Sequence, residues 1–148
     1  MFGMGFVGGT TAKVLGESHK IFPYDRYKKP YDSAQMIENL ARNVEVTFIC
    51  VPTPMQRSGA IDYDPMHHSL RLLTDTFQEI ERNPKEMLVT VRSTAVSGTT
   101  DSFAEKYPFE FAFNPEFLRE KHAEEDMRDT NRIVLGVESD EARKKLFA

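Results

Sequence analysis

Met66, Leu70, Leu73, Phe77 and Ile80 recur at i, i+4, i+7, i+11 and i+14. That single apolar stripe predicts an amphipathic helix after Pro65, ended by Asn83-Pro84. The other apolar runs are shorter. Val44-Glu45-Val46-Thr47-Phe48-Ile49-Cys50-Val51 predicts a buried strand stopped by Pro52-Thr53-Pro54. Strands are also expected over Glu86–Val91, Phe109–Phe113 and Arg132–Leu135, with Lys20–Asp25 as an extended segment. Helical patterns fall between them. One short helix ends over Lys13–Gly16, and Ser33 caps another running through Leu40 and Ala41. A third covers Thr99 to Lys106, and a last one begins at Ser139 and still runs at Ala148. A loop with Gly59 lies between Gln56 and Pro65. Asn114-Pro115 predicts a further helix start, because Asn is a favoured N-cap and Pro suits the first helical position. On that helix Glu116 and Glu120 would stand one turn apart on one face.

Strands alternating with helices predict an α/β fold: a doubly wound, mainly parallel sheet with helices on both faces. A length of 148 residues is enough for one domain with a sizeable core. The net charge of −4 and the absence of a sustained basic stripe do not point to nucleic acid. No apolar run approaches the roughly 20 residues needed to cross a bilayer. The opening Met1–Gly9 is apolar but Gly-broken and lacks a basic flank, so it does not read as a signal peptide. Cys50 is the one cysteine, which excludes an internal disulfide and fits a reducing cytoplasm.

Candidate chemistry begins at the N-terminus. Gly3-x-Gly5-x-x-Gly8 matches the dinucleotide fingerprint, whose glycines allow a tight turn, close approach of a pyrophosphate and close packing of helix on strand. Gly-rich turns are common, so the motif alone is weak. Asp25 strengthens it: it ends the next extended segment, 22 residues after Gly3, where a carboxylate can accept from a ribose 2′-OH. An acid there repels a 2′-phosphate and favours NAD over NADP, against which stands the neighbouring Arg26. A surface Asp in a turn remains the plain alternative. Ser93-Thr94 ends a strand, where α/β folds place ligands, or is a simple turn. Cys50 reads as a core cysteine, and His67 and His68 as solvated surface, since the buried stripe of their helix excludes them. No His/Cys cluster has metal-ligand spacing, so no metal site is expected. Glu116 and Glu120 could serve only as helix-start charges compensating the dipole.

Taken together the chain resembles the UDP-glucose/GDP-mannose dehydrogenases, the nucleotide-sugar dehydrogenase family. The matching segments are Gly3–Gly8, Phe48–Pro54, Ser93-Thr94, Asn114–Glu120 and Asn131–Gly136. Asn-Pro-Glu-Phe-Leu-Arg-Glu is the most specific of them. The resemblance implies a Rossmann-type NAD-binding domain over residues 1–148, shortened relative to the family. It implies NAD contacts from Gly3, Gly5, Phe6, Val7, Gly8, Asp25, Val51, Pro52, Thr53, Thr94 and Glu120. Sugar contacts would come from Glu116, Phe117 and Leu118. Family members oxidise the sugar C6 alcohol to a carboxylate, reducing two NAD through an aldehyde and a cysteine thioester. Glu116 would then be the base for thioester hydrolysis, Thr94 would position water or cofactor, and Glu120 would lie by the nicotinamide.

The departures shape the expectation as much. The family's catalytic lysine, asparagine and thioester-forming cysteine have no counterpart here, and Cys50 matches a core position. The isolated chain is therefore expected to lack the full reaction, and a homo-oligomer or a partner supplying the missing half is the corresponding partner expectation. The stretch from Asp25 to Phe48 is shorter than the family's, leaving Lys20–Tyr24 at the sheet edge, where Pro23 is tolerated. The turn Ala95-Val96-Ser97-Gly98 lacks the family's prolines. Only Met1-Phe2 precede Gly3, so the central strand is expected to be short, costing ~5–9 kcal/mol of burial at ~1.5–3 per missing aliphatic. Either the sequence begins late or the domain is marginal and leans on a partner. Two other classes stay open: a non-catalytic NAD or nucleotide-sugar binding module, and another NAD dehydrogenase such as a 3-hydroxyacid type, against which Asn114–Glu120 argues.

Overall fold

Three parallel strands lie at the centre of the computed structural model, which describes residues 1–147. They are β1 (Val46–Ile49), β2 (Leu88–Val91) and β3 (Glu110–Phe113), in that order across the sheet. Val46 pairs with Leu88 and Leu88 with Glu110, so the strands run in step. All four residues of β2 are buried, as expected of a central strand with helices over both faces. Isolated bridges widen the sheet. Phe2 pairs in parallel with both Tyr24 and Ile49, and Phe113 pairs antiparallel with Gly136. Met1 to Gly3 thus occupies the place of a strand between the Tyr24 segment and β1. Tyr24 lies at the edge, as the shortened stretch after it predicts.

The helices are α1 (Phe6–Leu15), α2 (Ala34–Asn43), α3 (Asp64–Glu79), α4 (Thr99–Lys106), α5 (Ala123–Asp129) and α6 (Asp140–Phe147). The Ser33 hydroxyl accepts from Met36 N, the predicted cap of α2. Met66, Leu70, Leu73 and Phe77 of α3 are fully buried, and Phe77 meets Phe109 edge-on at 5.3 Å. With Leu40, Val89, Val91 and Phe103 they form the main core on one face of the sheet. The opposite face holds a smaller cluster of Leu88, Ala112 and Ala142. Period-two alternation assigns these sides: Val89 and Val91 face the main core, and Leu88 faces away.

Five elements differ from expectation. The strand at Val44–Val51 is only Val46–Ile49, and its neighbour starts at Leu88, because Pro84–Glu86 form a 3₁₀ turn with Asn83 Oδ1 accepting from Lys85 N. The α3 helix stops at Glu79, before Asn83-Pro84, where Glu81 turns the chain at φ 53° and Arg82 N donates to Phe77 O. No helix starts at Asn114. The segment 114–119 is extended, and the next helix is α5, because the Asn114 side chain is bound across the sheet end rather than to its own following amides. Arg132–Leu135 forms no strand, and only Gly136 reaches the β3 edge. At α6, the Ser139 hydroxyl accepts from Ala142 N, while the expected continuation at Ala148 lies outside the described residues. Among the described residues no helix is long and apolar enough to cross a membrane.

Candidate cofactor site

The glycine loop links Phe2 to α1, and each glycine answers a different constraint. Gly3 has φ 83°, and a Cβ there would lie 2.5 Å from the Cys50 carbonyl oxygen. A Cβ on Gly8 would lie 1.8 Å from Gly3 O and 3.1 Å from Cys50 Cβ, so α1 packs directly on the loop and on the end of β1. Gly5 is the opposite case. It is exposed, caps α1 without a side chain, and a Cβ there would meet nothing within 4 Å. The free amides at the start of α1 therefore face open space, the arrangement that takes a phosphate.

That space is a cavity of about 900 Å³ along the C-terminal ends of the strands. Gly3, Gly5, Phe6 and Val7 line one wall, Val51, Pro52 and Thr53 follow from β1, and Thr94 follows from β2. The buried Ser93 hydroxyl donates to Val51 O at 2.7 Å and ties the two strand ends together. Asp25 closes the far end. Its Oδ2 accepts from Met4 N at 2.7 Å and its Oδ1 from Tyr27 N at 2.8 Å, while Lys28 Nζ donates to Met4 O at 2.8 Å. The Met4 peptide is thus held on both sides, and each Asp25 oxygen keeps a second lone-pair direction.

Glu116 borders the cavity at the opposite end, next to Arg92. Arg92 donates through NH1 to Asn114 Oδ1, and Asn114 Nδ2 donates to Val134 O at 2.9 Å. The Arg92 Nε is buried without a partner. Burial pulls this guanidinium below its ordinary value, and the nearby Cys50 and Glu116 oppose that fall. Glu116 folds back so that Oε2 accepts from Leu118 N at 2.7 Å. Arg92 and Glu116 also border an adjoining groove of about 220 Å³, lined by Phe48, Phe117 and Leu118 among others. Cys50 forms part of the cavity wall, half-buried just past β1. Burial pushes its thiol up to about 12, with Arg92 acting the other way.

Residues 25–148 match the family described as UDP-glucose/GDP-mannose dehydrogenase family, NAD binding domain. The chain belongs to this family. The UDP-glucose 6-dehydrogenase of Rickettsia typhi is 33% identical over 111 residues, covering 71% of this chain and 24% of that protein. The UDP-glucose 6-dehydrogenase of Haloferax volcanii is 29% identical over 143 residues, covering 89% and 31%. The chain thus spans about a quarter to a third of the length of these relatives. Among solved structures, a UDP-glucose dehydrogenase from Pyrobaculum islandicum superposes with a TM-score of 0.79 at 27% identity, covering 99% of this chain and 42% of that one. A GDP-mannose dehydrogenase ternary complex from Pseudomonas aeruginosa shares the fold with a TM-score of 0.79 at 23% identity, covering 98% and 42%. The fold is the expected Rossmann type in shortened form, and the cofactor of the family domain is NAD.

In this nucleotide-sugar dehydrogenase domain the structure gathers most of the predicted site residues around one cavity. Gly8 lies just beneath it, on the buried face of α1 against Gly3 and Cys50. Phe117 and Leu118 face the adjoining groove, and Glu120 stands exposed on the turn before α5, outside both spaces. Without the Asn114 helix, nothing aligns Glu120 with Glu116. Two readings need correction. Cys50 is a wall residue rather than a core one, because β1 ends at Ile49. His67 and His68 are half-buried: His67 Nδ1 lies 2.8 Å from the Tyr107 hydroxyl, and His68 lines the cavity. Arg92 was missed. Its signal was a lone cation at the end of a buried apolar strand, directly before Ser93-Thr94. No cluster of three metal-ligating side chains occurs among the described residues.

Proposed function

We propose that this cavity holds NAD in an extended pose, with the pyrophosphate over Gly5 and the α1 amides. The adenosine ribose then meets the remaining lone pairs of Asp25, and the nicotinamide end lies towards Thr94 and Glu116. The observation that carries this reading is the contrast within the glycine loop. Gly3 and Gly8 are required by packing, whereas Gly5 borders open cavity space at the start of α1, where a pyrophosphate fits. When bound, NAD supplies the hydride acceptor for oxidation of the sugar C6 alcohol towards a carboxylate, the reaction proposed for the complete enzyme with a UDP- or GDP-linked sugar. The residues of this chain orient and exchange protons. Glu116 has one oxygen engaged by Leu118 N–H and the other free to accept a proton from water. Thr94, exposed at the end of β2, offers a hydroxyl to the same space. The chain serves as the cofactor-binding half, and alone it does not turn over UDP-glucose.

Calorimetry with NAD tests the reading. The folded wild-type chain is expected to bind, and Asp25→Ala to bind about tenfold or more weakly, the equivalent of ~1.4 kcal/mol, with its fold checked by circular dichroism. Absence of heat from the folded wild-type chain, or equal affinity in the variant, would overturn it. NADH formation by the isolated chain with UDP-glucose would overturn the half-site claim alone.

A further inference from the structure

Tyr63 stands at the N-cap of α3, yet its side chain leaves the helix end uncapped. Asp62 Oδ1 takes the amide of Asp64 instead, and the phenol reaches outwards. The backbone fixes its place on both sides: Asp62 N donates to Pro54 O at 2.8 Å, and His67 N donates to Tyr63 O at 2.9 Å. The half-buried ring meets the buried Phe103 of α4 edge-on at 6.1 Å. Its hydroxyl then lands on the loop that follows Thr94. It accepts from Val96 N at 3.0 Å, while Thr99 Oγ1 lies 3.1 Å from it and 2.8 Å from Val96 O. These contacts close a ring of hydrogen bonds across the turn 96–99. The loop's own sequence gives it little rigidity. Ala95-Val96-Ser97-Gly98 contains no proline, Gly98 has φ 84°, and residues 96–98 are exposed.

Thr94 thus sits between two moorings. On one side the Ser93 hydroxyl donates to Val51 O, and on the other the Tyr63 phenol holds Val96. The cavity wall includes Asp62, Asp64 and Pro65 but passes Tyr63 by, so Tyr63 acts on a ligand only through the loop. Resting on the NAD reading above, we propose that Tyr63 is a positioning residue for the nicotinamide end of the site, its hydroxyl mooring the Val96 turn so that Thr94 stays at the cavity wall. A hydrogen bond from a packed aromatic ring does here what a proline does by fixing φ. It removes loop conformations before the ligand arrives, so that binding need not.

Tyr63→Phe removes only the hydroxyl and keeps the ring against Phe103. NAD and ADP-ribose, which shares the adenosine, pyrophosphate and second ribose but lacks the nicotinamide, are titrated separately into the folded wild-type and variant chains. In Tyr63→Phe, NAD should bind about three- to tenfold more weakly and ADP-ribose within about twofold of wild type. A general loosening of the fold would weaken both alike. Amide exchange reads the mooring directly. The wild-type Val96 N–H should exchange about tenfold more slowly than an unbonded amide, and Tyr63→Phe should lose that protection while Val91 in β2 keeps its own. Unchanged NAD affinity, an equal loss of both ligands, or an unprotected Val96 amide in wild type overturns this proposal and leaves the NAD reading standing. Failure of both ligands to bind the folded wild-type chain overturns the two together.

Discussion

A single methyl group separates the roles of Gly5 and Gly8. At Gly8 it would overlap the Gly3 carbonyl at 1.8 Å, backbone against backbone, with no flexible atom to yield. Gly8→Ala is therefore expected to destabilise by at least about 1–3 kcal/mol, read from a urea titration. Gly5→Ser keeps a good helix cap and meets no neighbour, so stability should stay within about 0.5 kcal/mol while NAD affinity falls. Loss of stability in Gly5→Ser, or unchanged affinity, would sink the assignment of that space to a phosphate. Cys50 gives a pH prediction. Its native thiol is pushed up to about 12 by burial, above the unfolded value near ~8.5. The neutral thiol's contribution is complete below ~8.5 and is lost as pH rises towards 12. Native Cys50 should thus react slowly with thiol reagents at pH ~8 and rapidly in denaturant, and Cys50→Ala should lose less stability than wild type between pH ~8 and ~10. Rapid native labelling would contradict this.

At the scale of elements, Asn114 shows how one side chain decides a local structure. Asn-Pro-Glu reads as a helix start, and an N-cap there would tolerate serine at near-zero cost. The Asn114 amide instead spans from Arg92 to the Val134 carbonyl, two partners that serine cannot reach together. Asn114→Ser is expected to cost about 1–3 kcal/mol in urea unfolding, because Arg92 is left with a further unpaired donor. A neutral result would restore the cap reading. By contrast, α4 covers the expected Thr99–Lys106, and the stripe of α3 is buried from Met66 to Phe77 although the helix ends early, since a stripe of large apolar residues has one way to meet the sheet. The segment 132–135 is strand-like in composition, yet it forms no ladder. Its partner edge on β3 is met only at Gly136, and Ile133 and Val134 remain exposed. Strand propensity reflects the neighbours that a segment finds, and local composition does not name them.

At the scale of the molecule, binding at the strand ends should stabilise the whole domain, because the cavity joins the N-terminal loop, the Tyr24 edge, β1, β2 and α3. NAD at about one hundred times its Kd is expected to add ~2.7 kcal/mol and raise the midpoint of thermal unfolding by several degrees. No shift under those conditions would contradict binding to the native state. Much of this architecture was legible beforehand: alternating elements specified the α/β class, and Gly3, Gly8 and Asp25 marked the loop and its acid. Such features are local, carried by period, glycine and spacing, so a linear reading captures them. Arg92, His68 and the separation of Glu120 from Glu116 were not legible in the same way. Whether Arg92 meets Asn114, 22 positions away, depends on how β2 and β3 lie side by side. The sequence alone determined the α/β class, the stripe of α3 and the glycine loop before α1. Only the tertiary structure decided which residues share a cavity, because side-chain partners are set by packing across strands that the chain order leaves far apart.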